Sequence, residues 1–332
     1  MNRLPRLLAT LLALVLLGGF ARQYLLSAVE SEAFNTRPAG VVTPDLLGVR
    51  SQQFSFASGD RALRGSYVPA REESAPAVLI FHGDEESISD WAAVQRSLHM
   101  EGISSCVFDY SGYGASTGTP SVQNLHQDGL AAYERFLRLT PRSGRRYVFG
   151  FSLGTAALLD VVNDLQPPPD GVVLAGVFAS AREMAVSTGL ASRWLAWLLP
   201  DVWNSEDRVG LLKTPLLIIH SRADEVIPYQ HAERLDRAAT GPHRLILFDG
   251  LTHDAPITPG EAEFFWAPIV RYMRSGRMES ADAGETGGRA LKISVGRTPN
   301  AMPARATDRH PRRARTTSAR PGAGPAYPPV GA

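Results

Sequence analysis

From Gln52 onward the chain alternates short apolar runs with segments of helical spacing, and this rhythm constrains the fold more than any other feature. Ala77 to Phe81, Ser104 to Tyr110, Arg146 to Phe149, Val172 to Ala179, Leu216 to His220 and Arg244 to Phe248 are apolar without polar alternation. Such runs suit strands covered on both faces, as in a mostly parallel sheet. Between them, residues 90–99, 122–139, 153–165, 229–239 and 261–274 carry apolar residues at helical intervals, for example Leu130, Tyr133, Phe136 and Leu137. Strand and helix in regular succession specify a doubly wound α/β sheet with right-handed crossovers. Gln52 to Phe56 and Leu63 to Val68, joined by the turn signal Ser58-Gly59-Asp60, predict an antiparallel hairpin at the sheet edge.

The ends differ from this middle. Arg3 and Arg6 precede an uncharged apolar run from Leu7 to Ala21 that Arg22 closes, the pattern of a signal anchor or signal peptide over residues 1–29. An uncleaved anchor is expected, with the globular domain on the extracytoplasmic side; a cleaved signal leaves a secreted or periplasmic protein. Residues 30–47, with Pro38 and Pro44, read as a linker, and residues 48–276 as the globular domain. From residue 277 to 332 the chain turns to Ala, Gly, Pro, Ser, Thr and Arg, too poor in large apolar side chains to fold, and predicts a solvated basic tail. That tail holds most of the charge asymmetry behind a net charge of +1, so the globular part offers no nucleic-acid surface. The single cysteine, Cys106, excludes an intrachain disulfide and a thiolate metal cage and reads as a buried strand residue. No His-Glu-x-x-His occurs, and no metal or cofactor is expected.

The strongest chemical signal is Gly150-Phe151-Ser152-Leu153-Gly154, set between a strand and a helix. A serine hydroxyl is a weak nucleophile and must stand exposed at a sharp strand-to-helix turn, where flanking glycines remove side chains that would collide. Its base is expected to be His253, in the loop after the last predicted strand. The other seven histidines lie on strands, helices or the tail, or belong to His82-Gly83. Asp224, in the loop after Leu216 to His220, is the expected acid that orients the imidazole, with Glu225 beside it as the competitor. The developing oxyanion needs two fixed N–H donors; Leu153 directly after the nucleophile and Asp84 after His82-Gly83 occupy the required places. About 35 residues separate the strands at Val172 and Leu216, and residues 181–213 predict a small helical cap. Trp194, Trp197 and Leu198, with Leu195 and Leu199, form an apolar cluster there that would hold an acyl chain or else pack on the sheet edge.

On Phe81-His82-Gly83, Asp109 through Ser116, Gly150 through Thr155, His220 through Pro228 and Gly250 through His253, the chain resembles the α/β-hydrolase superfamily. Within it the chain is similar to the membrane-anchored serine hydrolases related to the Bem46-like proteins and the ABHD12/ABHD13/ABHD17 type, over about Gln52 to Arg274. The resemblance implies the α/β-hydrolase fold and hydrolysis of esters or thioesters of lipids, acylated proteins or small acyl substrates. It also implies that Asp109 to Ser116 is scaffold. One departure is Asp84-Glu85-Glu86, where the family commonly has a neutral residue after His-Gly. Three carboxylates there either point to solvent or bias the pocket toward neutral or cationic substrates. The reading is thus a serine hydrolase acting through an acyl-enzyme, with a peptidase or acyltransferase using the same residues, or a silent membrane-anchored binding module, as rivals.

Overall fold

The computed structural model describes residues 4–278 except 188, 190, 191, 195 and 199–201. Eight strands form one sheet: β1 (Gln52–Ser58), β2 (Arg61–Val68), β3 (Ala77–Phe81), β4 (Ser104–Asp109), β5 (Arg146–Phe151), β6 (Gly171–Ala175), β7 (Leu216–Ser221) and β8 (His243–Phe248). Their spatial order is β1-β2-β4-β3-β5-β6-β7-β8. β1 and β2 are the expected antiparallel hairpin, β2 also runs antiparallel to β4, and every pair from β4 to β8 is parallel. This is the α/β-hydrolase fold. Because β3 lies between β4 and β5, its C-terminal end and that of β5 open side by side, which is where the strand order reverses and where such sheets bind ligands.

The unbroken apolar runs exist because both faces of the sheet are covered. In β3, Ala77, Leu79 and Phe81 enter one core cluster while Val78 and Ile80 enter the other, and all five are fully buried. The first cluster is closed by α3 (Val122–Leu139), α4 (Leu153–Val161), α6 (Ser205–Leu211) and α7 (Gln230–Ala238) through residues such as Phe136, Leu158, Val209 and Leu235. The second is closed by α2 (Ala92–Met100) and α8 (Ala262–Ser275) through Leu98, Phe265, Trp266 and Met273. Each such fully buried side chain contributes ~1.5–3 kcal/mol against the entropy of ordering the chain. Ser121 starts α3 by accepting the Asn124 N–H on its hydroxyl at 3.0 Å. Cys106 is buried on β4, and burial pushes its thiol far above its usual range.

Two elements depart from expectation. The strand expected from Val172 to Ala179 stops at Ala175, because Gly176 takes a left-handed backbone with φ 60° and turns the chain out of the sheet. Val177, Phe178 and Ala179 remain buried, which is why the apolar run outlasts the strand. At the N-terminus, α1 (Leu4–Ala33) is a continuous 30-residue helix. Among the described residues no helix is long and apolar enough to cross a membrane. The expected transmembrane anchor, and attachment through it, are therefore unsupported: the uncharged run is near 15 residues against the ~20 a span needs, and Arg22, Gln23 and Tyr24 follow it on the same helix. The expected tail lies outside the described residues from 279 onward.

Candidate active site

Ser152 stands between β5 and α4 with φ 51° and ψ −119°, a strained backbone for a residue with a side chain. Its neighbours explain the glycines. A Cβ on Gly154 would sit 2.1 Å from the carbonyl oxygen of Phe81, and one on Gly150 would sit 2.7 Å from that of Gly154. The strand and the helix therefore approach closely enough to force the turn, and the serine side chain is expelled from the packed layer.

Three loops bring the predicted chemistry together. His253, buried in the loop between β8 and α8, places Nε2 3.1 Å from Ser152 Oγ and Nδ1 2.8 Å from Asp224 Oδ2. Asp224 follows β7, and its other oxygen accepts the N–H groups of Val226 and Ile227 at 2.9 and 2.8 Å. Burial pushes this carboxyl upward, but hydrogen bonds from His220 and His253 outweigh it and hold Asp224 below the usual carboxylate range. Glu225 accepts the backbone N–H of His253 at 3.1 Å, so the two neighbouring carboxylates divide the histidine between ring and main chain. His220, expected only as a strand end, lies with Nε2 3.3 Å from Asp224 Oδ2 and 2.9 Å from the carbonyl of Ile227.

Leu153 opens α4, so its N–H belongs to the unpaired first turn beside the serine. Asp84 lies in the loop after β3, and the carboxylates of Asp84-Glu85-Glu86 have three separate fates. Asp84 accepts from Tyr113 OH at 2.6 Å and from the backbone N–H and side-chain amide of Asn35 at 2.8 and 2.7 Å. Glu85, in left-handed backbone with φ 58°, pairs with Arg37. Glu86 turns inward, accepts from Gly83 N–H at 2.7 Å and Trp91 Nε1–H at 2.8 Å, and is pushed up to about 8 by burial. His82 is buried, with Nδ1 2.7 Å from the Gly83 carbonyl oxygen and Nε2 3.7 Å from Asp109; burial lowers its pKa. Tyr110 OH donates to the His82 carbonyl at 2.9 Å. Tyr110 and Tyr113 thus brace the loop after β3, from within the Asp109 to Ser116 segment that the resemblance implies is scaffold.

Residues 181–213 contain two short helices, α5 (Ala181–Ser187) and α6, and a 3₁₀ turn at Ala196–Leu198. Trp194 and Trp197 are 75% and 72% exposed, so neither packs on the sheet. Leu195, Leu199 and the side chain of Leu198 lie outside the described residues.

A family profile described as "Serine aminopeptidase, S33" matches residues 72–206. The chain is 31% identical over 265 residues to the Escherichia coli protein YfhR, spanning 76% of this chain and 90% of that one. The chain belongs to the α/β-hydrolase family. This α/β-hydrolase is 30% identical over 187 residues to the lysophosphatidylserine lipase ABHD12 of Danio rerio, covering 51% of this chain and 48% of the lipase. In fold, the hydrolase is similar to the Pyrococcus furiosus esterase Pf2001, with a TM-score of 0.58 and 19% identity over 73% of this chain and 98% of the esterase.

Proposed function

We propose that this α/β-hydrolase cleaves carboxylic esters or thioesters of acyl or lipid-like substrates through an acyl-enzyme on Ser152. The observation that carries the reading is the chain of contacts from Asp224 through His253 to Ser152, at 2.8 and 3.1 Å. Ser152 Oγ attacks the carbonyl carbon as His253 Nε2 takes its proton, and Asp224 holds the ring so that Nε2 faces the serine and stabilises the imidazolium. The carbonyl electrons move onto oxygen, which the N–H groups of Leu153 and Asp84 receive. On collapse, His253 returns the proton to the departing alcohol or thiol. Water, deprotonated by the same histidine, then releases the acid and restores Ser152.

The ester and lipid reading draws support from the esterase and the lipase to which the chain is similar. The aminopeptidase description of the matching profile favours a second reading, cleavage of aminoacyl amides by the same three residues. A chain-length series of nitrophenyl esters, run beside aminoacyl nitroanilides with wild type and Ser152→Ala, tests both. Ester turnover that vanishes in Ser152→Ala supports the proposal. Amide turnover exceeding ester turnover selects the second reading, and ester turnover that survives the substitution refutes both.

A further inference from the structure

Residues 34–38, which the sequence reads as linker, lie against the loop that carries the oxyanion donor. The segment is anchored on three sides. Glu30, near the end of α1, accepts the Val122 N–H at 2.9 Å; Phe34 packs edge-on against Trp203 with ring centroids 5.7 Å apart; and the carbonyl of Arg37 accepts the Gly114 N–H at 3.0 Å. Between these anchors Asn35 grips Asp84 at two points, backbone N–H to Oδ1 at 2.8 Å and side-chain amide to Oδ2 at 2.7 Å. The third donor is Tyr113 OH at 2.6 Å, kept protonated because burial and then the charge of Asp84 raise its pKa.

A backbone donor stabilises an oxyanion only if its direction is fixed before the charge develops. The loop after β3 is held from below, where buried Glu86 accepts the Gly83 N–H. On its outer side Asp84 is half-buried and Glu85 is exposed and paired with Arg37, in a left-handed backbone that a residue with a Cβ adopts only when its surroundings dictate it. The bidentate contact from Asn35 supplies that outer constraint on the residue whose N–H matters. It also ties up both oxygens of a carboxylate that would otherwise turn its charge toward the developing oxyanion.

We propose that Asn35 is a positioning residue for the reaction, clamping Asp84 from the N-terminal segment so that the Asp84 N–H points at the oxyanion. The inference rests on the function proposed above. It makes the segment after α1 part of the catalytic apparatus.

The test uses the full chain as wild type, Asn35→Ala, Asp84→Ala, the double variant and Ser152→Ala, with nitrophenyl butyrate as substrate and an alkyl trifluoromethyl ketone as inhibitor. That ketone adds the serine oxygen and presents an oxyanion to the same donors. Asn35→Ala is expected to lower kcat about tenfold, a fraction of the ~100-fold or more seen when an oxyanion donor is lost outright. KM should stay within about twofold, and the inhibitor constant should rise in step with the fall in kcat. Because Asn35 is exposed, Tm should move by no more than about 2 °C. Asp84→Ala removes the other end of the contact, so adding Asn35→Ala to it should cost nothing further. Unchanged kcat and inhibitor affinity in Asn35→Ala, with Ser152→Ala inactive, overturns the inference and leaves the proposed function standing. A loss confined to KM, or one accompanied by a large fall in Tm, reduces Asn35 to a structural role and overturns it as well. Activity persisting in Ser152→Ala removes the underlying reading itself.

Discussion

The carboxyl of Glu86 meets the indole N–H of Trp91 at 2.8 Å in a buried contact directly beneath the loop after β3. The same oxygen accepts the Gly83 N–H, so an acid that desolvation holds protonated up to about pH 8 anchors that loop. In the unfolded chain the group ionises near its ordinary value of 4.5. Between those two values the native state binds more protons than the unfolded state, so this residue makes stability fall as pH rises from 4.5 to about 8, and the loss levels off above that. Glu86→Gln keeps the acceptor and removes the titration. Thermal melts of both proteins at intervals from pH 5 to 9 should show the variant gaining Tm over wild type progressively through this window. A difference independent of pH would show that Glu86 is ionised in the native state.

Ser152→Ala should fold as wild type and lose turnover by several orders of magnitude, since it removes the attacking oxygen and leaves the turn intact. Labelling by a fluorophosphonate should disappear with it. Gly154→Ala is the contrasting change: its Cβ would fall 2.1 Å from the Phe81 carbonyl, so strand and helix must separate. Loss of activity together with a clear drop in Tm is expected there, and a stable, active Gly154→Ala would show that the turn tolerates opening.

Asp224→Asn should lower kcat by up to about 10⁴ with little change in Tm, because it misorients the His253 ring without opening a cavity. Glu225→Gln keeps an acceptor for the His253 backbone N–H and should cost less than about tenfold. Steady-state kinetics of the pair on one ester decides the assignment; a larger loss for Glu225→Gln reverses it.

The exposed Trp194 and Trp197 predict a chain-length effect. Each methylene fully buried against an apolar wall contributes ~0.8 kcal/mol, so a groove on the cap makes kcat/KM climb by up to about fifteenfold for each added pair of carbons until it is full. Trp197→Ala should flatten that climb for octanoate esters, leave acetate esters nearly untouched, and keep Tm unchanged because the ring is 72% exposed. Equal losses on both esters would exclude the cap from substrate binding.

The sequence by itself determined most of the elements and the places of the candidate site residues, because both are written in local patterns. Unbroken apolar runs marked strands covered on two faces; the antiparallel hairpin followed from Ser58-Gly59-Asp60; and the glycines around Ser152 announced a close approach whose partner, the end of β3, only the coordinates identify. The loops after β7 and β8 located Asp224 and His253 because a loop at the C-terminal edge of a parallel sheet faces the same opening wherever its strand lies. What only the tertiary structure decided is every relationship that depends on two distant segments meeting. The division of His253 between Asp224 and Glu225 turns on about one residue of register across two loops. The strand at Val172 looked longer than it is because burial of Val177 to Ala179, and not pairing, keeps that stretch apolar. The fates of Asp84, Glu85 and Glu86 were hidden for the same reason, since identical local polarity leads to a clamp by Asn35, a surface pair with Arg37 and a buried contact with Trp91. A side chain's propensity is a property of its neighbours in sequence; its charge state and direction belong to its neighbours in space.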